Sequence, residues 1–270
     1  MNLQSLGYRT DLMIHEFENR VEDKSHYIVV ETPSNPHFFW GNFLIFKEPP
    51  RAHDLVDWPK LFSREFAHQP LIKHCTLAWD SVTAEKGCAQ AFVEAGFSLE
   101  EAVVLTVQTV CPPPKINRAL EIRPLSTDAD WKAAITNQVK CCPQSFKAEL
   151  YEPFKRKQMV RYRRMCEASL GYWYGAFLDG RLVGDLGIFV RDGIARYQSV
   201  GTHPDFRRQG VCGTLVWKSA LHVQENKYVQ TLVMVADEKY HAARIYESVG
   251  FRPTERQIGV FRWPQEEWLL

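Results

Sequence analysis

The sequence lacks an excess of charge of either sign, because 33 Lys and Arg residues stand against 32 Asp and Glu residues and the formal net charge is +1. A chain so balanced has no field strong enough to favour nucleic acid, and we expect no nucleic-acid partner. It also lacks a long hydrophobic run, since the stretch at residues 38–46 is too short and too interrupted to span a bilayer. Its first residues show no apolar segment typical of a signal peptide. We therefore expect no membrane partner.

The seven cysteines lack the spacing of a disulfide framework, because the sequence has no Cys-x-x-Cys pair and their number is odd. Reduced thiols of this kind are typical of cytoplasmic proteins, and the cytoplasm is the compartment we expect. His68, His74 and Cys75 are near one another in the chain, but their spacing fits no common metal site. The sequence therefore predicts no metal.

What the chain does have is length and apolar content, with 270 residues of which 45% are hydrophobic. This is enough for one large domain or two of ordinary size. Three consecutive prolines lie within residues 111–118, where they remove backbone donors and fix φ, so this stretch cannot continue a helix or a central strand. We interpret it as a linker between a domain of residues 1–115 and a domain of residues 116–270.

The hydrophobic pattern after residue 120 predicts both helices and strands. Asp179-Gly180 and Asp192-Gly193 lie between apolar runs, which is a strong signal of β-hairpins. Hairpins followed by helix-flanked strands predict a mixed α/β (α+β) fold with a mostly antiparallel sheet flanked by helices. The predicted helices are at about 128–139, 145–167, 208–225 and 241–249. The predicted strands are at about 172–178, 182–190, 194–202 and 231–236, and a last strand is predicted to run to about residue 263.

A short pattern occurs twice. Residues 88–97 and residues 242–251 both read as a helix that ends at Gly-Phe and leads into a strand. We interpret this as a duplication that gives two related copies. The first copy has Phe92 where the second has Tyr246, and it lacks an arginine-rich glycine loop. We therefore expect one ligand site per chain, in the second copy.

The glycine loop is the strongest functional signal in the sequence. Residues 200–213 read as the end of a strand, a proline turn, a basic loop with glycine and the start of a helix. Free amides at a helix start, with cations beside them, bind anions such as a diphosphate. Gly210 allows a close approach of the backbone, and Arg207 and Arg208 can neutralise phosphate charge, although the sequence does not decide which of the two does so. A P-loop nucleotide enzyme is a poor alternative, because the loop lacks the Gly-Lys-Ser/Thr ending.

This loop resembles the GNAT acyltransferase superfamily, whose pattern is Arg/Gln-x-x-Gly-x-Gly/Ala at a helix start. Here the pattern is Arg207-Arg208-Gln209-Gly210-Val211-Cys212, with Thr202-His-Pro204 before it and Ala242, Tyr246 and Gly250-Phe251 after the next strand. Cys212 departs from the usual Gly or Ala, and Lys239 stands where the family usually has Asn. The resemblance covers residues 120–263, and a tandem arrangement with a degenerate N-terminal copy is known in the superfamily.

The resemblance implies an N-acyltransferase that uses acetyl-CoA or a related acyl-CoA and acts by direct attack of an amine in a ternary complex. It implies that backbone N–H groups near Thr202 polarise the thioester and that Tyr246 protonates the leaving thiolate. The acceptor would be the amine of a small molecule or peptide. The residues expected to bind the cofactor are Val200, Thr202, Arg207, Arg208, Gln209, Gly210, Val211, Cys212 and Gly213.

Several alternatives remain open at this stage. Tyr246 also fits a core stripe with Ala242 and Val249, Asp185 is a weak candidate for the general base, and His203 reads as a turn residue rather than a base. A different class of function is a non-catalytic acyl-CoA sensor or scaffold. The acceptor and the oligomeric state stay undetermined. Aromatic residues of the first part either pack a core or line an acceptor pocket: Phe38, Phe39, Trp40, Phe43, Phe46 and Trp79.

Overall fold

The structure is a computed structural model, and it describes residues 1–143, 147–237 and 242–263. Its contacts divide the chain into two compact units. The first contains Met1–Val104 and the chain from Glu255, and the second is Leu105–Thr254. The sequence predicted a boundary between residues 115 and 116, which would separate two related domains. That division into domains stays a prediction.

The first unit is built around a sheet whose strands form antiparallel and parallel pairs. Strands β1, β2 and β3 pair antiparallel in chain order, β3 pairs parallel with β4, and β4 pairs antiparallel with β11. The elements are α1 (Leu6–His15), β1 (Arg20–Asp23), β2 (Tyr27–Glu31), a 3-10 turn (Phe39–Gly41), β3 (Phe43–Phe46), α2 (Asp54–Glu65), β4 (Cys75–Trp79), α3 (Ala89–Glu94), β5 (Ser98–Val107) and β11 (Arg252–Arg262).

Aromatic side chains fill the core of the first unit. Phe46 stacks on Trp58 with ring centroids 3.7 Å apart, and Trp79 is fully buried beside them. Phe43 is buried as well, whereas Phe38, Phe39 and Trp40 are half-buried. Burial of large rings supplies most of the apolar area that stabilises such a layer. For Phe43, Phe46 and Trp79 the structure therefore favours the core interpretation.

The second unit also has antiparallel strands followed by a helix and a strand that pairs parallel, but it begins with an additional strand and two helices. Strands β6 to β9 pair antiparallel in chain order, and β9 pairs parallel with β10 through the crossover helix α6. The elements are β6 (Glu121–Pro124), α4 (Asp128–Lys140), α5 (Ala148–Glu167), β7 (Gly171–Leu178), β8 (Arg181–Arg191), β9 (Ile194–Thr202), a 3-10 turn (Pro204–Phe206), α6 (Val211–Asn226), β10 (Thr231–Asp237) and α7 (Ala242–Glu247). The prediction of a mixed α/β fold with a mostly antiparallel sheet and flanking helices is confirmed.

The predicted hairpins are confirmed in detail. Asp179 and Gly180 have φ of 49° and 75°, and Asp192 and Gly193 have φ of 49° and 77°. Positive φ at both central residues gives the primed turn whose twist matches that of the strands. Helix α4 begins with a capping box between Thr127 and Asp130.

One helix start was predicted wrongly. The pattern placed the start of α6 at about residue 208, but the helix begins at Val211. Arg208 and Gly210 have φ of 60° and 77°, and a left-handed residue cannot continue a right-handed helix. The basic loop is therefore longer than predicted. The predicted starts near residues 145 and 241 lie outside the described residues.

No helix in the described part of the chain is both long and apolar enough to cross a membrane.

Candidate active site

A cleft of about 620 Å³ lies in the second unit, where β9 ends and α6 begins. The other walls are formed by α7 and by residues of the proline-rich segment. The cleft brings together most of the residues that the sequence singled out. Those that line it are Val200, Thr202, Arg207, Arg208, Gly210, Val211, Cys212, Gly213 and Tyr246.

The cleft opens where two parallel strands part. Strands β9 and β10 pair only where Ile194–Arg196 lies beside Thr231–Val233. Both strands continue beyond this segment, β9 to Thr202 and β10 to Asp237. Beyond the paired segment, the edge of β9 is left open to the cleft. Backbone groups at such an edge are available to a ligand.

A β-bulge shapes the same end of β9. Asp185 lies opposite Gly201 and Gly187 lies opposite Gln198, so β9 has one more residue than β8 between these pairs. The extra residue falls at Ser199–Val200, and Ser199 has φ of 47°. A bulge disrupts the ladder locally and redirects the strand. The sequence signal that could have found it is Gly201, since an isolated glycine in a strand often marks a bulge.

A buried carboxylate lies behind the bulge. Asp185 is fully buried and accepts hydrogen bonds from Asn137 Nδ2 at 2.6 Å, Gln138 Nε2 at 2.9 Å and Trp173 Nε1 at 2.7 Å. Burial raises the pKa of Asp185 to about 6, against the lowering effect of these donors. Gln138 also donates to the Ser199 carbonyl at 2.7 Å, so one amide connects the carboxylate to the bulge. Asp185 does not line the cleft and is not placed to act as a base there.

The loop before α6 leaves the first amides of the helix available. Gly210 is the N-cap and supplies no side-chain cap, and the first turn has no acidic residue. The first helical bond runs from Thr214 N to the Gly210 carbonyl, which leaves the amides of residues 211–213 ahead of it. A Cβ on Gly210 would lie 2.7 Å from the Lys115 carbonyl oxygen. Only glycine fits this position, because of that contact and because of its left-handed backbone.

Among the described residues that line the cleft, four have cationic side chains and none is acidic. Arg207 and Arg208 were predicted, whereas Lys115 and Arg244 were missed, since neither belongs to the loop in sequence. Arg207 Nε lies 3.5 Å from the Thr202 carbonyl, at the end of β9. Gln209, which was predicted to bind the cofactor, donates its side-chain amide to the Asp205 carbonyl at 3.1 Å and does not line the cleft. Its backbone amide stays a predicted ligand.

Tyr246 satisfies both interpretations of its position. It is 6% exposed, and the nearby Val249 and Phe251 are fully buried. It also lines the cleft. The core stripe therefore holds the ring in place at the cleft, and the two interpretations do not exclude each other.

Two cysteines at the cleft are weak nucleophiles. Burial raises the pKa of Cys212 to about 12 and that of Cys141 to about 11. The Cys141 thiol donates to the Thr202 carbonyl at 3.4 Å. Because the thiolate is the reactive form, these raised pKa values make both thiols weak nucleophiles at neutral pH.

His203 is a turn residue, in line with the interpretation from sequence. Its Nδ1 accepts from the Asp205 amide at 3.3 Å and caps the 3-10 turn. Burial lowers its pKa, and the nearby charge of Lys140 lowers it further.

The histidines of the first unit have local partners. His68 contacts Glu31, and His74 Nε2 lies 3.0 Å from the Asn42 carbonyl oxygen, with its pKa lowered to about 3 by burial. The described residues contain no group of three His, Cys, Asp or Glu side chains that could hold a metal ion. Lys239 lies outside the described residues, so its departure from the family pattern cannot be placed.

Comparison with known proteins agrees with this geometry. Residues 169–253 match the family model described as "Acetyltransferase (GNAT) domain". This range contains β7 to β10, the loop, α6 and α7. No curated protein matches the chain.

Solved structures share the fold over most of the chain. A functionally unknown conserved protein from Staphylococcus epidermidis is 14% identical with a TM-score of 0.70, over 91% of this chain and 94% of that chain. A GCN5-related N-acetyltransferase from Kribbella flavida is 16% identical with a TM-score of 0.67, over 96% of both chains. A tandem GNAT protein from the clavulanic acid biosynthesis pathway is 15% identical with a TM-score of 0.51, over 76% of this chain and 68% of that chain. At these identities the likeness concerns the fold alone.

Proposed function

We propose that this chain, whose residues 169–253 match the GNAT acetyltransferase domain, moves an acetyl or related acyl group from acyl-CoA to the amine of a small molecule or peptide. The family supports acyl transfer in general. The finer proposal rests on one observation, a cleft that joins an uncapped helix start, four cations and a tyrosine.

The residues at the helix start fit a diphosphate. Gly210 keeps the backbone bare, the amides of residues 211–213 precede the first helical bond, and the helix dipole favours a negative charge there. Arg207 and Arg208 add positive charge that a diphosphate requires. These groups would hold the phosphate end of acyl-CoA, which supplies the acyl group as a thioester.

The end of β9 fits the reacting end. The bulge at Ser199–Val200 and the open edge up to Thr202 provide backbone N–H groups that can donate to a developing oxyanion. Such donors stabilise the transition state most when they are fixed beforehand, and Gln138 fixes this segment through the Ser199 carbonyl. We therefore assign polarisation of the thioester carbonyl to backbone groups near Thr202.

The chemistry of the cleft favours direct attack by the amine. Cys141 and Cys212 line the cleft, but burial raises the pKa of both thiols, which disfavours either of them as the nucleophile of a covalent intermediate. Amine and thioester would react while held together, and such positioning contributes several kcal/mol.

Tyr246 is the residue we propose as the general acid. Its ring borders the cleft and is held by the core, so its hydroxyl can donate a proton to the departing thiolate. The amine must reach the thioester in its neutral form. A lysine-like amine costs about 4.6 kcal/mol to deprotonate at pH 7, and water is the acceptor we propose, because Asp185 does not line the cleft.

The test is a thiol-release assay with acetyl-CoA and a panel of amines, run together with calorimetric titration of CoA. We expect CoA to bind and at least one class of amine to be acetylated. Binding of CoA without turnover on any amine would favour the sensor alternative. Absence of binding at saturating CoA would overturn the cofactor assignment itself.

A further inference from the structure

The proline-rich segment, which the sequence suggested was only a linker, is built into the cleft. Pro113 and Lys115 line it, and Pro113 packs so closely on Gly213 that an added Cβ there would lie 3.0 Å from the Pro113 Cβ. The amide of Asn117 donates to Thr214 Oγ1 of α6 at 2.9 Å. A simple connection between domains needs none of these contacts.

Two side chains of this segment bind the basic loop directly. Lys115 Nζ donates to the Arg208 carbonyl at 2.7 Å, and Asn117 Nδ2 donates to the Gln209 carbonyl at 3.0 Å. We propose that Lys115 and Asn117 are positioning residues for the diphosphate-binding amides. This inference rests on the proposed function, since it concerns the same site.

The geometry of the peptide bond explains how the contact acts. In a trans peptide the carbonyl of one residue and the N–H of the next point in opposite directions. No described peptide bond is cis. When Lys115 and Asn117 hold the carbonyls of Arg208 and Gln209, the N–H groups of Gln209 and Gly210 are turned away from the segment. These two amides immediately precede the free amides of α6.

The same contacts hold an uncommon backbone conformation. Arg208 has φ of 60°, a region that residues with side chains seldom adopt. Such conformations persist only where the surroundings fix them. Two contacts with Lys115 fix the turn on both sides of Gln209. The Lys115 side chain donates to the Arg208 carbonyl, and the Lys115 carbonyl lies close to Gly210. Left-handed residues alternating with others form the concave backbone arrangement that binds anions.

The experiment compares three variants that each change the net charge by −1. Lys115→Met removes the donor and keeps the length of the side chain. Asn117→Asp removes the donor and keeps the oxygen that accepts from the Ala119 amide. Arg118→Gln is the control, because Arg118 is exposed and does not line the cleft. The dissociation constants for CoA and for pantetheine, which lacks the diphosphate, are measured by calorimetry and ligand-observed NMR.

We expect Lys115→Met and Asn117→Asp to weaken CoA binding about tenfold and to leave pantetheine binding unchanged, because only the diphosphate contact loses its preorganisation. Arg118→Gln should bind both ligands within about twofold of the wild type. Equal weakening of CoA in all three variants would show a charge effect and overturn the inference. Equal loss for CoA and pantetheine would show a general structural role and overturn it as well. Failure of the wild type to bind CoA is a separate result, which overturns the proposed function.

Discussion

The two units end a helix in the same way. After α3 and after α7 the chain has a glycine and then a phenylalanine, and both glycines are left-handed, with φ of 87° at Gly96 and 108° at Gly250. Each glycine amide donates to the carbonyl three residues earlier at 3.0 Å. Each phenylalanine amide donates to the carbonyl five residues earlier, at 2.9 Å for Phe97 and 3.2 Å for Phe251. This local match supports the duplication, which stays a prediction.

The two units differ where a ligand would bind. The start of α2 carries Asp54 and Asp57, and Asp54 Oδ2 accepts from the Arg51 amide at 2.6 Å. The start of α6 has no acid in its first turn and has Gly210 as its N-cap. Neither helix start has a side-chain cap, but the start of α2 carries negative charge and the start of α6 carries none, as the proposed anion site at α6 requires. This difference in charge is what the proposed function predicts if the second unit binds the ligand and the first does not.

The largest expected effect comes from placing a carboxylate at the open helix start. Gly210→Glu should weaken CoA binding about a thousandfold, because the new charge repels the diphosphate and the Cβ would meet the Lys115 carbonyl. Gly180→Glu is the matched control, since Gly180 is also left-handed, with φ of 75°, and has open space around it. Calorimetry with CoA measures both. Wild-type affinity in Gly210→Glu would place the phosphate site elsewhere.

The second effect concerns the buried carboxylates of the two units. Glu31 is paired with the cationic Arg20, whereas the hydrogen-bond donors to Asp185 are neutral. The pKa of Asp185 rises from 3.8 to about 6, so between these values the folded state binds more protons than the unfolded state. The free energy of unfolding should therefore fall as pH rises from about 4 to about 6, by about 3 kcal/mol at most.

Urea unfolding between pH 4 and 7 measures this slope. Asp185→Asn should flatten it, and rotation of the Asn137 amide can present its Oδ1, which has no partner among the described residues, to the new amide. Asp179→Asn is the control, because Asp179 is exposed in a left-handed turn that asparagine also adopts. An unchanged slope in Asp185→Asn would show that Asp185 keeps its charge throughout this range.

The third effect exchanges the residues that distinguish the two helix ends. Tyr246→Phe, which copies Phe92, should lower kcat about a hundredfold and leave the dissociation constant for CoA unchanged, since only the proton donor is lost. The reverse change, Phe92→Tyr, buries a hydroxyl at a fully buried position and should cost about 1 to 3 kcal/mol of stability without changing kcat. Steady-state kinetics and urea unfolding measure these outcomes. Full activity of Tyr246→Phe would remove Tyr246 as the acid.

Local sequence signals predicted much of this structure. The two Asp-Gly turns predicted the hairpins, and the loop pattern together with Tyr246 identified nine of the described residues that line the cleft. What could not be predicted depends on distant contacts. The left-handed conformation of Arg208 has no signal of its own, because it is held by Lys115, which is 93 positions away. Arg244 gave no signal either, since only the fold brings α7 to the loop.

The pairing of the last strand shows the same limit. The sequence predicted a strand up to about residue 263, and it assigned that strand to the domain of residues 116–270. In the structure β11 pairs with β4 of the first unit, with Ile258 opposite Trp79 and Val260 opposite Leu77. An apolar strand can pair with any strand of compatible register, so its hydrophobic pattern does not specify the partner.

The smallest expected effect concerns the acidic start of α2. Asp54→Ala should lower stability by about 1 kcal/mol, because the Arg51 amide loses its acceptor and the helix dipole loses a nearby negative charge. Asp57→Ala is the matched control, since Asp57 lies in the same turn but is exposed, and it should cost only a few tenths of a kcal/mol. Urea unfolding separates the two variants. Equal losses would mean that only the charge near the helix dipole matters and that the hydrogen bond to the Arg51 amide adds no stability. Asp54→Ala should not create a second CoA site, and calorimetry should still show one site per chain. Removing the acid is not sufficient, because the first unit lacks the glycine loop and has Phe92 in the place of Tyr246.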